Sequence, residues 1–186
     1  MSRISRRGFL AGGTVPLVML AGCGNPIGTF NAERLDARVD ATRDFLRGNF
    51  PDTEQLFENA HGILYMPLVS EAGLLFGGGY GQGALRIDDV TVDYYSATRA
   101  SFGLQAGAQQ FAHVLFFMTS RALADFRASD GWAASADIRY AVPGSGGAAG
   151  IQTTTVFSPV IAVVFGQSGL IAGASLAGVR YNRIIP

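Results

Sequence analysis

From Gly62 onward the chain repeats one local pattern, short apolar or alternating runs separated by glycines. That pattern reads as antiparallel β structure, because strand side chains alternate between two faces while glycine serves turns, bulges and close packing. Glycine supplies 25 of the 186 residues without a Gly-X-Y period, so collagen-like structure is excluded. Strands are expected near Gly62 to Met66, Leu74 to Tyr80, Ala84 to Ile87 and Thr91 to Ala97. Between Ser101 and Gln109 the even positions Phe102, Leu104, Ala106 and Ala108 are apolar and the odd ones small or polar, which predicts one long two-faced strand. The run from Val114 to Met118 is apolar throughout, as in a strand covered on both faces. Further strands are expected near Ala134 to Val142, Gly150 to Phe157, Val160 to Phe165, Leu170 to Leu176 and Val179 to Ile184, with a loop over Gly144 to Gly147.

Helical periodicity is confined to two regions. Over Ala32 to Gly48, Leu35, Val39, Thr42 and Leu46 fall on one arc of a helical wheel. Arg34 and Arg38 lie to one side of the arc, Arg43 to the other, and Asp36, Asp40 and Asp44 are expected on the opposite face. A second, short helix is expected from Asp52 to Ala60, with Asp52 or Thr53 as its N-cap. Thr119 or Ser120 can cap a central helix that continues through Leu123 and Phe126 and stops at Gly131, with Arg121 and Asp125 one turn apart. The expected class is α+β: a Gly-rich, strongly curved antiparallel sheet, able to close into a barrel, with an N-terminal amphipathic helix and a central helix. The length suits a single domain, and a charged fraction of 15% beside 48% hydrophobic residues argues against disorder. No repeat is visible that would indicate a solenoid or propeller.

The first residues read as an address. Arg3, Arg6 and Arg7 precede a modest apolar run from Phe9 to Ala21, a signal-peptide layout too short and too broken by Gly12, Gly13 and Pro16 to span a bilayer. Ser5-Arg6-Arg7-Gly8-Phe9-Leu10 resembles the twin-arginine export signal, with Arg6 and Arg7 as its pair. Cys23, the only cysteine, stands behind Leu20-Ala21-Gly22 and resembles the lipidated cysteine of a bacterial lipobox. The expected organisation is therefore a signal over 1–22, a lipidated tether over 23–31 and a domain over 32–186. Gly24 in place of Asp lacks the inner-membrane retention signal of enteric bacteria, which points to an outer-membrane anchor in the cell envelope.

Charge and chemistry exclude several classes. All 14 basic residues are arginine, so no lysine serves Schiff-base or P-loop chemistry. Loss of the signal leaves 11 basic and 14 acidic residues, a net charge of −3 with no footprint for nucleic acid. His61 and His113 are too few to build a metal site, and none is expected. His113 beside an apolar run reads as a core histidine, while His61 follows a helix whose C-terminus could hold an imidazolium. Trp132, after the Asp130-Gly131 turn, is either packed in the core or exposed at a membrane or ligand contact. Gly173-Ala174-Ser175-Leu176-Ala177 comes nearest to a nucleophile elbow but lacks the final glycine and following helix. Gly79-Tyr80-Gly81-Gln82-Gly83-Ala84 fits G-x-G-x-x-A, yet a strand and turn follow where a helix N-terminus must hold pyrophosphate. No catalytic residue and no cofactor are expected.

Four ordered blocks resemble the SYLF-domain family of lipid-binding proteins. They are Ala60-His61-Gly62-Ile63-Leu64-Tyr65-Met66-Pro67 running into Glu71-Ala72-Gly73 and Gly78-Gly79-Tyr80-Gly81-Gln82-Gly83; Tyr94-Tyr95 with Ala100 to Gln109; Met118-Thr119 with Phe126 and Ser129-Asp130-Gly131-Trp132; and Thr153-Thr154-Thr155 with Gly169 to Gly178. The resemblance implies a domain that binds acidic phospholipids, without catalysis, some eukaryotic members also binding actin filaments. It further implies that the amphipathic first helix takes part in lipid binding. Candidate lipid contacts are then Arg34, Arg38, Arg43 and Arg47 beside the apolar Leu35, Val39 and Leu46, with arginines snorkelling at the interface. The alternative is that this apolar stripe docks on the sheet and the arginines are merely solvated. Glu33, Asp36, Asp40 and Asp44 balance the four arginines, and attraction to an anionic surface is about 1 kcal/mol per uncompensated basic residue. The leading expectation is an envelope lipoprotein whose domain engages a phospholipid membrane; the alternative is a lipid-tethered module that recognises another envelope protein.

Overall fold

A computed structural model describes residues 29–73, 76–102, 107–134, 138–141, 158–166, 176 and 178–186. The export signal with Arg6 and Arg7, the lipidation site Cys23, the strand expected at 150–157 and nearly all of that at 170–176 lie outside the described residues.

The first helix, α1, spans Thr29–Asn49, so helix begins inside the stretch expected to be tether. Alanine, leucine and arginine, all strong helix formers, dominate it. Its end is marked by Asn49, whose side chain donates to the Phe45 carbonyl at 2.9 Å, and by Pro51, which cannot continue the backbone ladder. A 3-10 turn at Pro51–Thr53 leads into α2, Glu54–Asn59. Thr53 occupies the N-cap position of α2, but its hydroxyl donates back to the Phe50 carbonyl at 2.7 Å and caps no helix N–H. The third helix, α3, is Ser120–Ala128, and here the expected cap forms: the Thr119 hydroxyl accepts from the Ala122 N–H at 3.2 Å.

Eight strands form one sheet: β1 (Gly62–Gly73), β2 (Phe76–Ile87), β3 (Val90–Phe102), β4 (Gly107–Phe117), β5 (Trp132–Ala133), β6 (Arg139–Ala141), β7 (Val160–Gly166) and β8 (Arg180–Ile184). Their order is β5-β8-β3-β2-β1-β4-β7-β6, antiparallel throughout except for the parallel β6–β7 pair. The α+β expectation holds. Three element boundaries differ. The strands expected at Leu74 to Tyr80 and Ala84 to Ile87 are a single β2, because its glycines all pair with β3 and carry the ladder through. β1 runs past Met66 to Gly73 through Pro67, which a central strand accommodates only in a bulge; the register shifts there against both neighbours. The alternating stretch from Ser101 to Gln109 is not one strand. β3 ends at Phe102 and β4 begins at Gly107, on opposite sides of the β1–β2 hairpin. Alternation at a strand end cannot reveal where the chain crosses to another place in the sheet.

The bulge explains two of the glycines. At Gly83 a side chain would collide with the Tyr65 carbonyl and the Met66 sulfur, and at Gly81 a Cβ would lie 2.7 Å from the Leu68 carbonyl oxygen. Both glycines let β2 close against the displaced β1 backbone. The β2–β3 hairpin turns on Asp88 and Asp89 with φ of 50° and 61°, values of the primed turn that matches strand twist and that Asp tolerates better than most residues.

Curvature follows from one contact. The Tyr181 hydroxyl lies 2.7 Å from His113 Nε2, although β8 and β4 are separated in the sheet by β3, β2 and β1. The sheet therefore curls strongly and wraps an inner core of Leu64, Met66, Leu85, Tyr95, Leu115 and Tyr181, which α3 closes with Leu123 and Phe126. An outer core lies on the other face. There Val39 and Leu46 of α1, with Leu56 and Phe57 of α2, cover Tyr65, Val114, Phe116 and Ile161. β4 from Phe111 and all of β7 are buried, as their apolar sequences predict for strands covered on both faces.

Candidate functional site

Helix α1 has three sides with different environments. The buried side carries Leu35, Val39, Thr42 and Leu46, with Val39 and Leu46 fully shielded. Val39 and Leu46 are thus docked on the sheet and point into the protein, while Leu35, also buried, lines the edge of a groove along the helix. The physical reason is supply: the outer face of the sheet presents Tyr65, Ala84, Ala112 and Val114, and an amphipathic helix is the element that covers them.

On one flank the helix is tied to β2 and β3 by polar contacts. Arg86, only 7% exposed, donates through Nη1 to Asp40 at 2.6 Å. The Thr91 hydroxyl and the Tyr94 hydroxyl donate to the two oxygens of Asp36 at 2.9 and 2.8 Å. Asp36 and Asp40 are therefore not on a solvent face opposite the stripe, as the wheel suggests; they sit beside it and receive groups from the curling sheet. The hydrogen bond from Arg86 holds the Asp40 carboxyl below its ordinary range, while burial and then the Asp36 contact push the Tyr94 hydroxyl up to about 12. Arg43 lies on this flank among Asp40, Asp44 and Asp89, at 3.8, 3.0 and 3.4 Å. Arg47, at the helix end, pairs with Glu54 at 3.6 Å and stacks 4.4 Å above the Phe57 ring.

The other flank is open. Arg34, Arg38, Ala41 and Phe45 follow one another at helical spacing, and all four are exposed. Arg34 and Arg38 have no ion pair among the described residues. Beside them, Pro67 and Leu68 of the β1 bulge line a groove along the helix. One part, about 290 Å³, is lined by Ala41, Phe45, Leu68, Phe111, Ala112 and Phe165, with the Phe45 ring stacked 5.8 Å from Phe165. An adjoining part, about 190 Å³, shares Pro67 and Leu68 and adds Arg38, Ser70, Tyr80 and Gln82. Tyr80 is 53% exposed and accepts from the Gln82 amide at 2.9 Å. Sequence reading missed Phe45, Leu68 and Tyr80; the exposed helix position of Phe45 was legible, but the bulge that sets it beside Leu68 and Phe165 was not.

The remaining polar residues have structural surroundings. His113 is fully buried, burial pushes its pKa down to about 3, and its Nδ1 has no partner among the described residues. His61 is exposed and far from it in role, its backbone N–H donating to the Phe117 carbonyl at 2.8 Å. Trp132 packs against Phe126 and Tyr181, with ring centroids 5.3 and 5.8 Å away, so it is a core residue. Among the described residues no three His, Cys, Asp or Glu side chains gather as a metal site, and no helix is long and apolar enough to cross a membrane.

A groove with an apolar floor and, at its rim, a guanidinium without an ion pair among the described residues fits a binding module. Residues 98–183 match the model of the Ysc84 family, described as Las17-binding protein actin regulator, and this match bears out the SYLF resemblance over that stretch. It is a family of binding domains. The matched segment runs from the end of β3 to β8 and leaves α1 outside it. No curated protein matches the chain.

Proposed function

We propose that this protein is an envelope lipoprotein, exported by a twin-arginine signal and anchored to the outer membrane through acylated Cys23, whose domain binds acidic phospholipid through the open flank of α1. The observation that carries the reading is the division of the arginines. Arg43 and Arg47 are held by carboxylates, whereas Arg34 and Arg38 are exposed and unpaired among the described residues, and Arg38 lines an apolar groove. Two free guanidiniums near an anionic surface contribute about 1 kcal/mol each, and removing both lowers affinity about thirtyfold. The site proposed from sequence thereby narrows: Arg34 and Arg38 contact headgroups, Leu35 lines the groove beside them, and Val39 and Leu46 hold the helix in place.

The test is co-sedimentation of the Cys23→Ser chain, which carries no acyl anchor, with neutral and phosphatidylglycerol-containing vesicles. Binding to the anionic vesicles that weakens with salt and is largely lost in Arg34→Ala/Arg38→Ala is the expected result. Equal loss in Arg43→Ala would contradict the division. The family description favours a second reading, a tethered module that recognises a protein partner, with actin binding by family analogy alone. A chain that sediments with no vesicle of any composition favours that second reading.

A further inference from the structure

We propose that the groove beside α1 holds a single acyl chain capped by an anionic headgroup, so that the domain takes up a monoacyl lipid molecule and does more than rest on a surface. This deepens the phospholipid reading above and rests on it for the sign of the headgroup. The groove is amphipathic along its length. At the Phe45 end it is walled by Ala41, Leu68, Ala112 and Phe165, residues that offer a chain apolar contact. At the other end, past Leu68, the walls become Arg38, Ser70, Tyr80 and Gln82, which offer a cation, hydroxyls and an amide. An apolar slot that opens onto a guanidinium with no carboxylate partner among the described residues is complementary to an amphiphile of one negative end and one hydrocarbon tail. A peptide helix would need a wider apolar face, and a headgroup alone would leave the apolar end unfilled. The combined space lies within the range of about 300–1,000 Å³ typical of small-molecule sites, which suits one chain better than two. The slot also has a place in the fold: a strand accommodates Pro67 in a bulge, and the bulge residues Pro67 and Leu68 line both parts of the groove.

The experiment uses the full chain with Cys23→Ser and monomeric palmitoyl lysophosphatidylglycerol, in plain form for calorimetry and with a photoreactive group near the chain end for cross-linking. Saturable binding is expected, with labels on Phe45, Leu68 or Phe165. Ala41→Phe places a ring into the slot from an exposed helix position, displaces part of the chain and should lower affinity at least about tenfold. Ala124→Phe, on the exposed side of α3, should leave it unchanged. Labels elsewhere, or an Ala41→Phe affinity equal to that of the parent, overturn the proposal even if vesicles are still bound. Vesicle binding without groove labelling leaves the surface reading standing alone; groove labelling without vesicle binding does the reverse.

Discussion

The two flanks of α1 carry similar residues and have opposite fates. On one, Asp36, Asp40 and Arg43 meet Arg86, Thr91, Tyr94 and Asp89, and every one of these charges has a partner within 4 Å. On the other, Arg34 and Arg38 are exposed, and Arg38 lines a groove whose walls hold no carboxylate. The lesson is that a charge count along a helix says little about what the helix offers to a ligand. The sheet neutralises one flank because Arg86, Thr91 and Tyr94 of β2 and β3 reach it, whereas Pro67 and Leu68 of the β1 bulge bring no charge to the other.

That contrast can be broken at several points. The largest effect belongs to the buried side: Leu46→Ala should destabilise the protein by about 2–5 kcal/mol in urea unfolding, since it empties a fully shielded position. A loss below about 1 kcal/mol would mean that the stripe is not docked. Next comes the inner core. Because burial holds the His113 pKa near 3, against 6.5 when unfolded, the unfolded chain binds more protons between those values. Stability present above pH 6.5 is lost as pH falls toward 3, at up to about 1.4 kcal/mol per pH unit. His113→Gln, which keeps a polar partner for Tyr181, should flatten this slope in unfolding measured from pH 7 to 4.5; an unchanged slope would assign it to other groups.

Smaller effects compare the flanks directly. Asp40→Asn weakens the charge-assisted bond that satisfies the buried Arg86 and should cost about 1–2 kcal/mol, below the value for a fully buried pair because Asp40 is half exposed. The lowered Asp40 pKa makes this stability present above pH about 4 and lost as pH falls below it, so parent and variant should converge in acid. Arg34→Ala and Arg38→Ala should each change stability by less than about 0.5 kcal/mol while altering vesicle binding. A stability loss as large as that of Asp40→Asn would reveal a structural role and weaken the proposed one.

Much of the architecture was legible because it rests on local pattern. Glycine-punctuated alternation announced the antiparallel sheet, the Leu35-Val39-Leu46 spacing announced α1, and Thr119 capped α3 as its position implied. Apolar continuity marked His113 as a core residue and β7 as buried on both sides. The misreadings share a cause. The Ser101 to Gln109 alternation and the opposite face assigned to Asp36 and Asp40 both depend on what lies across space, which no window of neighbouring residues contains.

The sequence by itself determined the class of fold and the amphipathic helix, since strand and helix periods and caps are properties of adjacent positions. Only the tertiary structure decided which arginines remain free and where a ligand can enter. Those outcomes turn on the bulge that Pro67 imposes on β1 and on the curl that brings β3 to one flank of α1, and both are set by pairing between strands distant in the chain.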